Sequence, residues 1–271
     1  MMLNLRITEK QYPAITDEAQ ALECYAQVDT LDWPALIELY HQLKQQHAPS
    51  KVLFLLEDIA QCNYTSMHAS MSDELYFDES EYIEDEDEDE DDEKEEIIIA
   101  NIQPLAVQHY LQQLGKPKNQ RVLTDLQHRF ELGDEEQQLL QQINAQPQVI
   151  LDQHIEIKLV NVATEADKFA AKLNGYFECD LKPAESYALI RHLDTQFGLE
   201  YIGLGASLLF FIKTSRFDTN KTAELLYSIA PIYQFNTDSI EFLQQHLLQQ
   251  EHLILPFVES LETFEGCYDE I

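Results

Sequence analysis

Apolar positions along the 271-residue chain recur with two different periods, and the switches between them predict the order of elements. Leu36, Leu39, Tyr40 and Leu43 fall at helical spacing behind Asp32 and Pro34. These two residues suit an N-cap and a first-turn proline, whose missing N–H costs nothing there. Val52-Leu53-Phe54-Leu55-Leu56 is a continuous apolar run, which suits a strand covered on both faces. A further helix is expected earlier, from about Asp17 to Val28, whereas Cys62 to Tyr82 is polar with scattered aromatic residues and methionines. Ile97-Ile98-Ile99 reads as a short β-branched strand. Helices are expected over Leu105–Leu114, Arg121–Phe130 and Glu135–Ile143, with Gly115 and Gly133 where helices stop.

Beyond Gln146-Pro147-Gln148 the pattern starts afresh. Ile155, Ile157 and Leu159 alternate with Glu156 and Lys158, the period of a half-buried strand. Helices follow over Thr164–Leu173 and Pro183–Phe197, the first stopped by Asn174-Gly175 and the second by Gly198. Glu200–Leu204 and Leu208–Lys213 then read as a strand pair, followed by helices over Thr219–Ile229 and Asp238–Gln249 and a last strand over Leu253–Val258. The expected fold class is α+β, with mixed or antiparallel sheets and packed helices. Two units are expected, 1–146 and 147–271; the first carries an acidic insert at about 73–96 and a helical segment at 104–144. Tyr176, Phe177, Leu189, Leu193, Phe210, Ile212, Leu225, Leu226 and Leu247 are the expected core of the second unit.

A turn Asn174-Gly175-Tyr176-Phe177-Glu178-Cys179, a helix ending in Phe197-Gly198, an apolar strand, a helix around Ala223–Ile229 and a final strand follow one another in this region. In that order the stretch from Ile155 to Glu259 resembles a bacterial family of unknown function, number 4253 in the domain-of-unknown-function series. Members commonly carry tryptophan in the turn and in the last strand; this chain has Tyr176 and Phe177 in the first and Pro256-Phe257-Val258-Glu259 in the second. The resemblance implies a fold and no established activity.

Charge changes this picture more than any other property. Fifty acids stand against 17 lysines and arginines, a net charge of −33. The segment Asp73–Glu96 supplies −16 of it and centres on ten consecutive acids, Glu84, Asp85, Glu86, Asp87, Glu88, Asp89, Glu90, Asp91, Asp92 and Glu93. Such a run cannot be buried and is expected to be a disordered, solvated arm, with partner binding as its sharper role. The balance argues against a nucleic-acid binder and against anionic membranes, and favours a basic protein partner. No apolar stretch approaches a membrane span, and no secretory leader is evident at the N-terminus. The scattered Cys24, Cys62, Cys179 and Cys267 read as free thiols of a reducing cytoplasm.

Candidate chemistry is sparse. Gly203-Leu204-Gly205 is a fragment of a glycine fingerprint but lacks its third glycine and precedes a strand, so no nucleotide or other cofactor is expected. Cys62 and His68 match no standard metal spacing, and no metal site is expected. The catalytic candidates are Cys179, His192, Glu178 and Asp194, with Asp180 and Arg191 as neighbours: a thiol before a helix, an imidazole, and an Arg191–Asp194 pair three residues apart. Against them, two adjacent carboxylates would raise the thiol pKa, the wrong direction for a nucleophile. Three functions remain: an acidic interaction protein, such as an immunity protein against a toxin or a nucleic-acid mimic; a small enzyme at Cys179 and His192; and a structural or regulatory domain whose acidity serves solubility. The first uses the unusual feature of the chain.

Overall fold

Among the described residues six strands form one mixed sheet in the order β1-β3-β2-β4-β5-β6. The computed structural model describes residues 26–29, 32–82 and 92–268. The strands are β1 (Ala26–Asp29), β2 (Lys51–Leu55), β3 (His154–Val160), β4 (Leu199–Leu204), β5 (Leu208–Lys213) and β6 (His252–Pro256). β2 and β4 run parallel, with Phe54 opposite Gly203, and every other pairing is antiparallel. The α+β class is therefore as expected. The boundary placed at 146 does not divide two sheets, because β2, from before it, lies between β3 and β4, from after it.

Among the described residues seven α-helices accompany the sheet: α1 (Trp33–Gln46), α2 (Ile59–Ser70), α3 (Asp92–Leu114), α4 (Asp134–Ala145), α5 (Pro183–His192), α6 (Thr219–Tyr233) and α7 (Thr237–Gln249). α1 begins as its sequence dictates: the Asp32 carboxylate accepts from the Ala35 N–H at 2.9 Å, with Pro34 in the first turn. Leu36, Leu39, Tyr40 and Leu43 form its buried face. Val52–Leu55, all of β4 and all of β6 are buried residue after residue, so helices cover both faces of the central sheet.

Tertiary context overrides several local expectations. Ala26–Asp29, expected at the end of a helix, is an edge strand paired with β3; the rest of that helix, Asp17–Tyr25, lies outside the described residues. Ile97–Ile99 is not a strand but part of the 23-residue α3, which runs through Pro104. Asp92 and Glu93, expected in a disordered run, are instead the first residues of that helix. Glu84–Asp91 lie outside the described residues. The helices expected over Arg121–Phe130 and Thr164–Leu173 shrink to 3-10 segments, Leu123–Leu126 and Ala166–Ala171. α5 continues into a wider π turn, Leu193–Phe197, which ends at Gly198 in the left-handed conformation (φ +63°).

Of the expected core, Leu189, Leu193, Phe210, Ile212, Leu225, Leu226 and Leu247 are buried, but Tyr176 and Phe177 are 43% and 46% exposed. Leu193 is fully buried at the junction of α5 and its π turn. Leu193→Ala is expected to cost about 2–5 kcal/mol in urea unfolding, the range for a buried leucine whose site cannot collapse. A loss below about 0.5 kcal/mol, as at surface positions, would contradict its placement.

Gly203 in β4 and Gly205 just past its end have a packing role. A side chain at Gly203 would overlap the Phe54 carbonyl on the parallel neighbour, and one at Gly205 would overlap Glu57. Gly203-Leu204-Gly205 is thus where two backbones approach closely, which explains a glycine fragment with no helix behind it.

Candidate functional site

The loop of residues 174–182, between the Ala166–Ala171 segment and α5, carries most of the sequence candidates. Gly175 turns it with φ +86°, and any side chain there would overlap the Leu181 carbonyl. The Phe177 N–H donates to Asp180 Oδ2 at 3.1 Å, and the Leu181 N–H donates to the Phe257 carbonyl at 2.7 Å. Arg129 clamps the loop from outside: it donates to the carbonyls of Glu178 (3.1 Å) and Asp180 and pairs with Glu185 at 3.3 Å. Burial pushes the Asp180 carboxyl up to about 6. The loop is therefore held at both ends and turned so that Tyr176 and Phe177 project outward.

The catalytic candidates do not converge. The Cys179 thiol is raised above its ordinary pKa by burial, by a hydrogen bond to Glu259 and by the charges of Asp180 and Glu259, so it is held as a thiol. The Glu178 side chain is exposed. His192 closes α5 with its ring against Phe197 (5.5 Å between centroids), and burial lowers its pKa. Asp194, in the π turn, is raised by burial and by the charges of Glu200 and Glu165 on another part of the fold. Arg191 lies over the Tyr187 ring at 5.6 Å instead of pairing with Asp194. A nucleophile needs a base within hydrogen-bond reach, and among the described residues Cys179 and His192 share no hydrogen bond. The Cys62 thiol is buried and pushed up to about 12, and the His68 ring lies edge-on to Tyr64 and tilted against Tyr176.

A polar cluster that sequence reasoning missed lies inside the molecule, where α1 meets β4 and the Ala166–Ala171 segment. The Tyr40 hydroxyl donates to Glu200 at 2.5 Å and accepts from Lys168 at 2.7 Å. Lys168, fully buried, also donates to Glu165 at 2.9 Å. Lys44 bridges the two carboxylates, 2.6 Å from Glu200 and 2.9 Å from Glu165, and Lys51 reaches Glu165 at 3.4 Å. Burial opposes ionisation of Glu165, but Lys168 and Lys44 overcome it and hold the carboxyl down at about 2. Burial pulls the Lys168 ammonium down, with Glu165 and Glu200 opposing. Tyr40 is pushed well above its ordinary value by burial and by both glutamates. With Lys168 wholly enclosed, the cluster pins α1 to the sheet.

A second interior network joins α1, α4, α7 and β6. The Trp33 indole donates to His252 Nδ1 at 3.1 Å, and His252 Nε2 donates to the Asn144 carbonyl at 2.9 Å. His246 Nε2 donates to the His252 carbonyl, while the Asn144 amide exchanges hydrogen bonds with the Ile254 backbone. His246 and His252 are both buried, and burial holds their imidazoles well below the ordinary value, so they stay neutral near neutral pH.

The first network and the core take Lys168 and Lys158 out of the surface, and Lys44 and Lys51 are tied to carboxylates. Among the lysines and arginines whose side chains are described, the exposed ones are Lys116, Lys118, Arg191 and Arg216. Exposed carboxylates occur along most of the surface, among them Asp73, Glu74, Asp78, Glu79, Glu135 and Glu262. Two surface cavities are large enough for a ligand or an anchor side chain: one of about 550 Å³ beside the 174–182 loop, and one of about 850 Å³ between α6 and the Leu123–Leu126 segment. No helix among the described residues is long and apolar enough to cross a membrane. No protein-family model matches the chain, and neither a curated protein nor a solved structure similar to it was found.

Proposed function

We propose that this protein is a non-enzymatic binding module whose acidic exterior captures a basic macromolecular partner, in the manner of a toxin-neutralising immunity protein or a nucleic-acid mimic. The observation that carries this reading is the segregation of charge. Lys44, Lys51 and Lys168 are committed to Glu165 and Glu200, and Arg129 is turned onto carbonyls and Glu185. What remains outside is dominated by carboxylates, on a chain of net charge −33. A field of one sign steers an oppositely charged partner and accelerates encounter. The small-enzyme reading loses support because the Cys179 thiol is raised, not activated.

The test is affinity capture from the source cell at low and at high salt. A basic protein retained at low salt and released at high salt is the expected result, unchanged by Cys179→Ala or His192→Ala. Recovery of no basic protein above background at low salt would overturn the reading.

A further inference from the structure

We propose that the exposed aromatic–methionine stripe of α2, continued by Tyr176 and Phe177 and by the groove beside them, docks a partner segment in which a large apolar side chain is flanked by lysine or arginine. The proposal rests on the interaction reading above and assigns it a surface and a partner chemistry.

α2 is amphipathic in the reverse sense. Its buried positions are Ile59, Cys62, Thr65, Ser66 and Ala69, mostly small or polar. Apart from Ile59 its large apolar residues face water: Tyr64 and Met67 are each 52% exposed, and Met71, just past the helix, is 59% exposed. Tyr64, Met67, His68 and Met71 fall at the spacing of one helix face. The stripe is continuous with the loop, since the rings of Tyr64 and His68 are 4.5 Å apart, His68 and Tyr176 4.7 Å, and Tyr176 and Phe177 5.1 Å. A loop clamped by Arg129 and turned by Gly175 is not a frayed end that happens to show two aromatic rings. Contiguous exposed apolar surface of this kind marks interaction sites, and tyrosine and methionine are enriched at them.

The groove of about 550 Å³ opens between His68, Met71 and Tyr176 on this face, with Leu75, Leu114 and Ala184 in its lining, and takes an anchor side chain. Asn119 lines it while only 2% exposed. Its Nδ2 donates to the Gln113 carbonyl at 2.9 Å, which fixes the amide and leaves Oδ1 buried with no partner among the described residues. That acceptor calls for a donor from the occupant. Asp73, Glu74 and Glu178 are exposed around the face, and Glu185 lines the groove. The two cations of the groove face backbone: Lys182 donates to the Phe177 carbonyl at 2.6 Å, and Arg121 to the carbonyls of Lys118 and Gln120. The rim therefore selects basic flanks. A second copy of the chain, itself at −33, is repelled.

Two synthetic peptides of equal positive charge test this with the full chain, one carrying leucine and phenylalanine between its lysines and arginines and the other serine at those positions. By fluorescence anisotropy at about 150 mM salt, the apolar-basic peptide is expected to bind about tenfold tighter, a difference of about 1.4 kcal/mol. The double variant Met67→Ser/Met71→Ser and the single variant Tyr176→Ser should remove that preference while leaving the serine peptide's affinity unchanged. Equal binding of the two peptides to the wild type overturns the docking surface and leaves the charge reading standing. Binding of neither overturns both. A wild-type chain that sediments as a dimer, with the double variant monomeric, would make the occupant a second copy and would also overturn the proposal.

Discussion

Glu200→Ala is expected to destabilise the fold by about 3–5 kcal/mol, the cost of breaking a buried ion pair from one side. Glu200 is 6% exposed and accepts hydrogen bonds from both Tyr40 and Lys44. Its loss leaves the Tyr40 hydroxyl without an acceptor and leaves Glu165 to face Lys44, Lys51 and Lys168 alone. The enclosed Lys168 cannot recover water in exchange. Glu200→Gln keeps an acceptor for Tyr40 and should recover part of the loss. Urea unfolding with an unchanged m-value reads both effects. A loss for Glu200→Ala below about 1 kcal/mol, the range of surface pairs, would mean that the cluster is solvated.

The second large effect is loss of stability in acid. Burial depresses His246 to about 4, and burial together with the charge of His246 depresses His252 to about 3. Both values lie below the ordinary 6.5 of the unfolded chain, so below that pH the unfolded state binds protons first. Their stabilisation is complete above about pH 6.5 and is lost as the pH falls through about 4 and 3, at up to roughly 1.4 kcal/mol per unit of depression. Glu57 acts with the opposite sign. Burial raises its carboxyl to about 8, so its stabilisation is complete below the ordinary 4.5 and is lost as the pH rises through 8. Denaturation midpoints against pH should therefore fall on both sides of a maximum near neutrality. His246→Gln/His252→Gln should flatten the acid limb, and Glu57→Gln the alkaline one. An acid limb unchanged in the histidine variant would contradict the neutral imidazole network.

The sequence pattern was informative wherever burial and period coincide. α1 with its Asp32 cap, the apolar runs of β2, β5 and β6, and the helices α4, α6 and α7 follow from spacing, capping residues and continuous apolar runs. α2 was invisible for a physical reason: its inward face is Ile59, Cys62, Thr65, Ser66 and Ala69, and its other large apolar residues face outward, so a search for an apolar stripe finds the wrong side. Ile97–Ile99 misled because three β-branched residues cannot outweigh a 23-residue helix that continues past them. Tyr176 and Phe177 misled because hydrophobicity alone does not reveal a loop turned outward at Gly175.

The functional candidates were less legible still. Cys179, His192 and Asp194 are close in the chain but lie in three different environments once α5 ends in its π turn. Lys44, Glu165 and Glu200 are far apart in the sequence, and only the packing of α1 against β4 and the Ala166–Ala171 segment brings them together with Lys168. Their burial bears on function indirectly, because each lysine taken inside is one fewer on the exterior.

The association rate with the basic partner recovered by affinity capture, measured by stopped flow across ionic strength, tests the central claim most directly. The wild-type chain is compared with one in which Glu84–Glu93 are replaced by glutamine and serine. Charges more than about 8 Å apart are screened at physiological salt, so the acidic run should act on encounter more than on the docked complex. The account predicts that the wild-type rate falls by roughly 10–10³-fold from low to high salt. The neutralised chain should associate more slowly at low salt and respond less to added salt, with the dissociation rate nearly the same in both. An association rate that is independent of salt and equal in the two chains would contradict it.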